Sequence, residues 1–340
     1  MRIRWRIVLA FVTVCAVAFL LTQTDTGPDG RLPTPVRYVQ TVPDPSPHNA
    51  NPSNENPVDV SIVKERVTQA TVKVAAIQCY SRMGKSAYNR QLLSDLITNA
   101  AEQGAKIVLL PECAVQGYMN PADDCQWSTG DAADGNDFDV KDAAEHVPGP
   151  SSRYFAGLSK RLGIYLGLPL IEEEHGEYYN SLLLFDPIGE IAAHHRKCSL
   201  WPPGDAGWVK QGEGIAQVVS TPYGRLGLMI CHDVHAMPSR LKAARTDIVL
   251  YAVGWYGPHT ENWFRDLFPR RYVVPNNFAV IAANWCAEEK GSKWDGQGYS
   301  CIIGRGGEVL SMAKGTGGPE IVLAELPVAA ASATANPGDE

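Results

Sequence analysis

Eight cysteines in 340 residues are too few for a disulfide scaffold, and no two of them form a Cys-x-x-Cys pair. That spacing excludes a zinc ribbon, and no His-x-x-x-His pair supplies a helical zinc site. Three more signatures are missing: the Gly-x-Ser-x-Gly elbow, the phosphate loop and the dinucleotide fingerprint. Positive charge is also short, and the net charge of −7 argues against a nucleic-acid partner. There is no internal repeat and no heptad run. No apolar run reaches the roughly twenty residues of a spanning helix. The nearest is Ile7 to Leu21, interrupted only by Thr13.

That run follows Met-Arg-Ile-Arg-Trp-Arg, which matches the charged and apolar regions of a secretory signal. Ala16 and Ala18 lie inside the run, so a clear small-x-small cleavage site is missing. Residues 1–24 are therefore expected to be a cleaved signal peptide or a retained N-terminal membrane anchor. Either places the protein outside the cytoplasm, secreted, periplasmic or membrane-tethered. Residues 25–69, rich in Pro, Asn, Ser and Asp, bury too little surface to offset chain entropy and read as a disordered linker. Residues 70–327 are well mixed and long enough for one large domain, and 328–340 read as a loose tail. With Cys15 in the leader, seven cysteines remain beyond it, so at least one is free or paired between chains.

The domain alternates strands and helices. Strands are expected at 72–79, 106–110, 164–171, 226–230, 248–253 and 278–284, and helices at 87–104, 151–162 and 239–245. A further helix starts at Glu261 and is expected to be broken or ended by Pro269. Strands 181–185 and 190–195 form a hairpin at Pro187-Ile188-Gly189, and three short strands divided by glycines close the domain. Residues 117–148 read as a long solvated loop; the spacing Asp131, Asp134, Asn136, Asp137 does not fit a calcium loop.

Three strand ends carry chemistry. Glu112 follows an apolar strand and Pro111, where burial would raise its pKa and suit it to proton transfer. The 190–195 strand delivers His194-His195-Arg196-Lys197 to one place, and Lys197 leads into an apolar stretch rather than a solvated rim. Cys231 closes the strand 226–230 before a turn and helix, a rigid position where following amides face a ligand. A free cysteine is also often a plain buried hydrophobe.

The segments Val-Leu-Leu-Pro-Glu-Cys-Ala-Val-Gln-Gly-Tyr (108–118), His-Arg-Lys (195–197) and Gly-Leu-Met-Ile-Cys-His-Asp (227–233), in this order, resemble the nitrilase or carbon–nitrogen hydrolase superfamily. Ala-Ala-Ile-Gln (75–78) and Asn284 agree with it. The resemblance covers residues 70–327 and implies a four-layer α-β-β-α sandwich that forms homodimers or higher homo-oligomers. It implies Cys231 as nucleophile, Glu112 as general base and Lys197 as oxyanion cation, with the amide of His232 beside it. Metal and cofactor are not expected, and the partner is a small-molecule amide or related substrate. One departure stands out: no glutamate occurs between Lys197 and Glu213, where the family often carries a second one. Asp205 is the candidate second carboxylate; Glu213, in a Gly-Glu-Gly turn, reads as an exposed loop residue. An amidase is the leading expectation. A nitrilase, an N-carbamoyl amidohydrolase and a catalytically silent tethered binding module are the alternatives.

Overall fold

The structure is a computed structural model that describes residues 70–120, 125–129, 138–205, 207–255, 257, 259–286, 298–315 and 318–328. The expected leader 1–24, the linker 25–69, the acidic cluster 131–137 and the tail beyond Val328 lie outside the described residues. Among those that are described, no helix is long and apolar enough to cross a membrane.

The described residues form, in chain order, the strands β1 (Thr71–Gln78), β2 (Ile107–Leu109), β3 (Met119–Asn120), β4 (Cys125–Ser128), β5 (Phe138–Asp139), β6 (Tyr165–Glu174), β7 (Glu177–Phe185), β8 (Ile191–Arg196), β9 (Val218–Thr221), β10 (Gly224–Ile230), β11 (Ile248–Ala252), β12 (Ala279–Ala283), β13 (Cys301–Ile303), β14 (Val309–Met312) and β15 (Glu320–Pro327). The main helices are α1 (Ser86–Glu102), α2 (Pro150–Leu162) and α3 (Pro238–Ala243). Two six-stranded sheets result, ordered β15-β1-β2-β6-β7-β8 and β14-β13-β12-β11-β10-β9. The central strands β1, β2 and β6 are parallel, as are β10, β11 and β12, each trio flanked by antiparallel edges.

Strand alternation explains the layering, because successive side chains leave opposite faces of a sheet. Val74 and Ala76 of β1, Leu182 and Leu184 of β7, Leu226, Leu228 and Ile230 of β10 and Leu250 of β11 fill the space between the sheets. The opposite set from the first sheet, including Ala75, Ile77 and Val108, packs on Leu93 and Ile97 of α1 and Phe155 and Leu158 of α2. Met229, Val249 and Tyr251 face outward from the second sheet onto Leu241 of α3 and Phe264 and Phe268. This is the α-β-β-α sandwich.

Gly167 shows how close the two sheets lie. A Cβ there would come within 2.6 Å of Leu109 Cδ1 and 3.1 Å of Leu250 Cδ2, one from each sheet. Gly167→Val should therefore overpack this layer and lower stability by about 1–3 kcal/mol or more, read as a fall in the urea midpoint.

Three expectations need adjustment. Of the two outcomes expected at Pro269, the helix beginning at Thr260 is interrupted and not ended: it continues to Asn276 through widened π turns at Trp263–Leu267 and Pro269–Val273, which the sequence did not reveal. Widened turns accommodate a proline that cannot donate its own helical hydrogen bond. The loop expected over 117–148 contains the small sheet β3-β4-β5, whose Trp127 is buried and donates to the Gly117 carbonyl at 2.8 Å. Strands of two residues carry no legible period. The strands expected at 164–171 and 181–185 are longer and join in a hairpin at His175-Gly176, whose φ values of 55° and 80° fit a tight turn of the primed type. Its tip is entirely polar, which hid it. The last strand, β15, leaves its sequence neighbours and pairs antiparallel with β1 from Thr71↔Pro327 to Gln78↔Glu320.

Candidate active site

The polypeptide enters the site three times, each time off the end of a strand. After β2, Pro111 and Glu112 begin a turn that runs to Gln116. This turn is pinned from several sides. Asn89 Nδ2 of α1 donates to the Val115 carbonyl at 2.9 Å, and Gln116 Oε1 accepts from the Ile171 amide at 2.9 Å. Trp285 Nε1 donates to the Glu112 carbonyl at 2.9 Å. After β8, Lys197 turns inward. After β10, Cys231 opens a 3₁₀ turn (Cys231–His235) with φ of 42°, in the left-handed region that non-glycine residues rarely occupy. Tyr251 OH donates to the Cys231 carbonyl at 2.9 Å and holds this strained residue.

Glu112, Lys197 and Asp205 have no solvent exposure, and Cys231 retains 8%. Lys197 Nζ lies 2.8 Å from Glu112 Oε1 and 2.8 Å from Asp205 Oδ2. Each carboxylate has further support. Asn180 Nδ2 donates to Glu112 Oε1 at 2.8 Å. Tyr118 OH donates to Asp205 Oδ1 at 2.6 Å, and the Trp201 amide to Asp205 Oδ2 at 2.6 Å. Glu112 Oε2 is buried with no hydrogen-bond partner among the described residues. A Cβ on Gly254 would sit 2.8 Å from that oxygen, so only glycine leaves this space open.

Charge decides the resting protonation. Burial raises the Glu112 carboxyl above its ordinary value; Lys197 opposes this and Asp205 adds to it. Burial alone would lower the Lys197 ammonium, yet Glu112 and Asp205 together hold it well above the ordinary lysine range. Burial, then Glu112, push the Cys231 thiol well up, while Lys197 and the Gly254 amide pull the other way. The resting centre is a neutral thiol beside an ammonium clamped by two carboxyl groups. A neutral thiol is a weak nucleophile, and only a base within reach would turn it into the reactive thiolate.

One residue ties the lysine segment to the cysteine turn. Asp233 Oδ1 accepts from the amides of Cys198 and Ser199 at 2.9 and 2.8 Å, and its Oδ2 from Ile230 at 3.2 Å. His195 Nε2 lies 2.7 Å from the same Oδ2, and this contact, against the effect of burial, holds the Asp233 carboxyl below its usual range.

The structure thus brings Glu112, Lys197 and Asp205 into contact, with Cys231 in electrostatic reach of all three. Glu213 is exposed, as its turn suggested. The His194–Lys197 cluster is not delivered to one place. Alternation along β8 sends His195 and Lys197 inward, while His194 and Arg196 pair with Glu172 on the other face. Burial notwithstanding, His194 and Arg196 hold the Glu172 carboxyl down to about 2. The His232 imidazole meets Ser199 Oγ at 3.0 Å. Sequence reasoning missed Asn180, Tyr118, Trp201, Trp285 and Asp233. Asn180 had a usable signal, being a polar residue ahead of Ser181 and the apolar run Leu182–Phe185; Trp201 meets Asp205 only four residues on, and Tyr118, Trp285 and Asp233 gain meaning from partners far away in the chain. Among the described residues no group of three or more His, Cys, Asp or Glu is placed to hold a metal ion.

The two-sheet sandwich thus carries a buried carboxylate–ammonium–carboxylate chain with a strained cysteine in electrostatic reach of it. The chain belongs to the carbon–nitrogen hydrolase family, whose model matches residues 73–336. It is 30% identical over 254 residues to the omega-amidase NIT2 of Bos taurus, covering 72% of this chain and 85% of the relative. The omega-amidase NIT2 of Danio rerio is 31% identical over 228 residues, 64% of this chain and 76% of the relative. Among solved structures, an amidase from Nesterenkonia sp. superposes with a TM-score of 0.61 at 26% identity, covering 75% of this chain and 90% of that one. A mutant of the Nesterenkonia amidase carries the acetamide moiety of fluoroacetamide covalently on its active-site cysteine; it matches with a TM-score of 0.62, 26% identity and coverage of 76% and 92%. The protein is accordingly a carbon–nitrogen hydrolase of amidase type, acting on non-peptide C–N bonds.

Proposed function

We propose that this protein hydrolyses carboxamides through a thioester on Cys231, with Glu112 as proton carrier, Lys197 as oxyanion cation and Asp205 as the second carboxylate. The observation that carries the reading is the ammonium of Lys197 held 2.8 Å from both carboxylates while Glu112 Oε2 is buried with no hydrogen-bond partner among the described residues. Glu112 takes the Cys231 proton as sulfur bonds to the amide carbon. Lys197 and the His232 amide stabilise the oxyanion, each well-placed donor contributing about 3–4 kcal/mol. Glu112 passes the proton to nitrogen, the C–N bond breaks and ammonia leaves. Water, deprotonated by Glu112, then attacks the thioester, and the carboxylic product departs as the thiol is restored.

Asp205 is one methylene shorter than glutamate. Its position at 2.8 Å from Lys197, secured by Tyr118 and Trp201, supports the role despite that difference. The covalent acetamide adduct of the Nesterenkonia amidase supports amides over nitriles and N-carbamoyl compounds. An ammonia-release screen across the three classes tests this; release from nitriles alone would remove the amide reading. The leader's composition and the family resemblance support two further readings, export or membrane tethering through residues 1–24 and homo-oligomerisation. Mass measurement of the mature N-terminus and light scattering read them directly.

The pH profile carries a sign. Glu112 must be ionised to accept the proton, and burial raises its pKa above that of an ordinary carboxylate. Activity is then lost as pH falls, and kcat/KM should show its acid limb above the ordinary carboxylate range. An acid limb within or below the ordinary carboxylate range would remove Glu112 as the base.

A further inference from the structure

A series of aromatic rings in contact runs from His232, next to Cys231, to Trp255, next to Gly254. His232 directly follows Cys231, and its ring lies 4.6 Å from that of His235. Tyr272 OH meets His235 Nδ1 at 3.2 Å, and the Tyr272 ring lies 6.0 Å from Trp263. Trp263 stacks on Trp255 at 4.5 Å and 10° between planes. Trp255 in turn follows Gly254, which lies against Glu112: a Cβ there would sit 2.8 Å from Oε2. The ends of this aromatic wall are thus one residue from Cys231 and one residue from a glycine packed on Glu112.

The wall is fixed, partly open and largely uncharged. Asn284 Oδ1 accepts from the Trp255 amide at 2.8 Å and its Nδ2 donates to the Trp255 carbonyl at 3.0 Å, so Trp255 is held at both ends of its backbone. His232, Tyr272 and Trp255 are half-buried and keep surface open to a ligand. Burial, then Lys197, lower the His232 pKa, and burial, then His232 and Arg271, bring His235 down to about 4. Both imidazoles are therefore neutral at pH 7. Arg271 acts on His235 and Tyr272, at the end of the wall away from Gly254. Asp205 and Asp233 act on His232 in the opposite sense to Lys197. Elsewhere around Glu112, Tyr118 packs edge-on against Trp285 at 5.2 Å.

We propose that the acyl group of the substrate is flat, apolar and uncharged, an aryl or arylalkyl group lying against Trp255 and the rings that continue from it to His232. This rests on the thioester reading and deepens it by naming the acyl class. Aromatic faces reward such a group by area and by offset stacking, whereas a carboxylate set against the indole of Trp255 would lose its water to an uncharged ring.

Ammonia release by the full chain from acetamide, 3-phenylpropionamide and succinamate tests the assignment. The expected order in kcat/KM places 3-phenylpropionamide above acetamide by about tenfold or more, with succinamate last. Trp255→Ala should bring the phenylpropionamide-to-acetamide ratio toward one, chiefly through KM, while Trp255→Phe should preserve most of it. Preference for succinamate or acetamide overturns the proposal, as does an unchanged ratio in Trp255→Ala. The comparison among substrates in the native chain stands even if the alanine variant fails to fold. No ammonia from any of the three, together with no preferential labelling of Cys231 by iodoacetamide, would strike the thioester reading itself. Turnover with the wrong acyl preference strikes only the aromatic wall.

Discussion

Cys231→Ala is expected to lower kcat for carboxamides by a factor on the order of 10⁵–10⁶, because a covalent route loses its only sulfur at the reacting position. The fold should survive. Cys231 buries a small side chain in the layer with Ile230 and Leu228, and alanine removes one sulfur from a residue already held with φ of 42°. An unchanged thermal midpoint with abolished ammonia release is the expected pair of results. In the native protein, rapid quenching followed by mass spectrometry should show the acyl mass on the peptide containing Cys231. Iodoacetamide should label that cysteine ahead of Cys79, Cys113, Cys198, Cys286 and Cys301, which are buried and whose thiols burial pushes up. Cys231 is pushed up as well, so the difference tests base assistance by Glu112 rather than resting thiolate. Retained turnover in Cys231→Ala would end the thioester mechanism.

Lys197→Met should affect both activity and stability, and for one reason. The ammonium lies 2.8 Å from two carboxylates that have no exposure to solvent. Removing it leaves Glu112 and Asp205 buried without their cation, and breaking a buried ion pair this way costs about 3–5 kcal/mol. Loss of an oxyanion donor should lower kcat by about 10²–10³-fold in addition. The two effects separate in the triple variant Lys197→Met, Glu112→Gln, Asp205→Asn. It should recover most of the urea midpoint, since no charge is left buried, and recover none of the activity. Recovery of neither would show that Lys197 holds the site by shape and not by charge. A Lys197→Met enzyme with native kcat would remove the oxyanion role.

Much of this architecture was legible before any coordinates. The runs 107–110, 226–230 and 248–253 are apolar on both faces, as expected of strands covered by layers on each side. Leu93, Ile97 and Ala100 fall at helical spacing and do face the sheet. Glu112 and Cys231 stood out because each breaks an apolar strand with a chemically active side chain. What escaped was either short or distant. β3 and β5 have two residues each, too few for alternation to register. The hairpin tip Glu172–Glu177 is polar and gives no apolar signal. Pro269 promised an interruption or an end, but not the widened turns that carry the helix past it.

The sequence by itself determined which chemical groups are present, their order along the chain and which strand ends carry them, because those depend on local periods of two and 3.6 residues. Only the tertiary structure decided which groups meet. It set Asp205, and not Glu213, against Lys197, because Tyr118 from 87 residues away and the Trp201 amide hold that carboxylate in place. It divided the basic cluster between two faces of β8, leaving Lys197 in the cavity and Arg196 on Glu172. Contacts across such separations depend on how two sheets stack and twist, and no local pattern of residues encodes them.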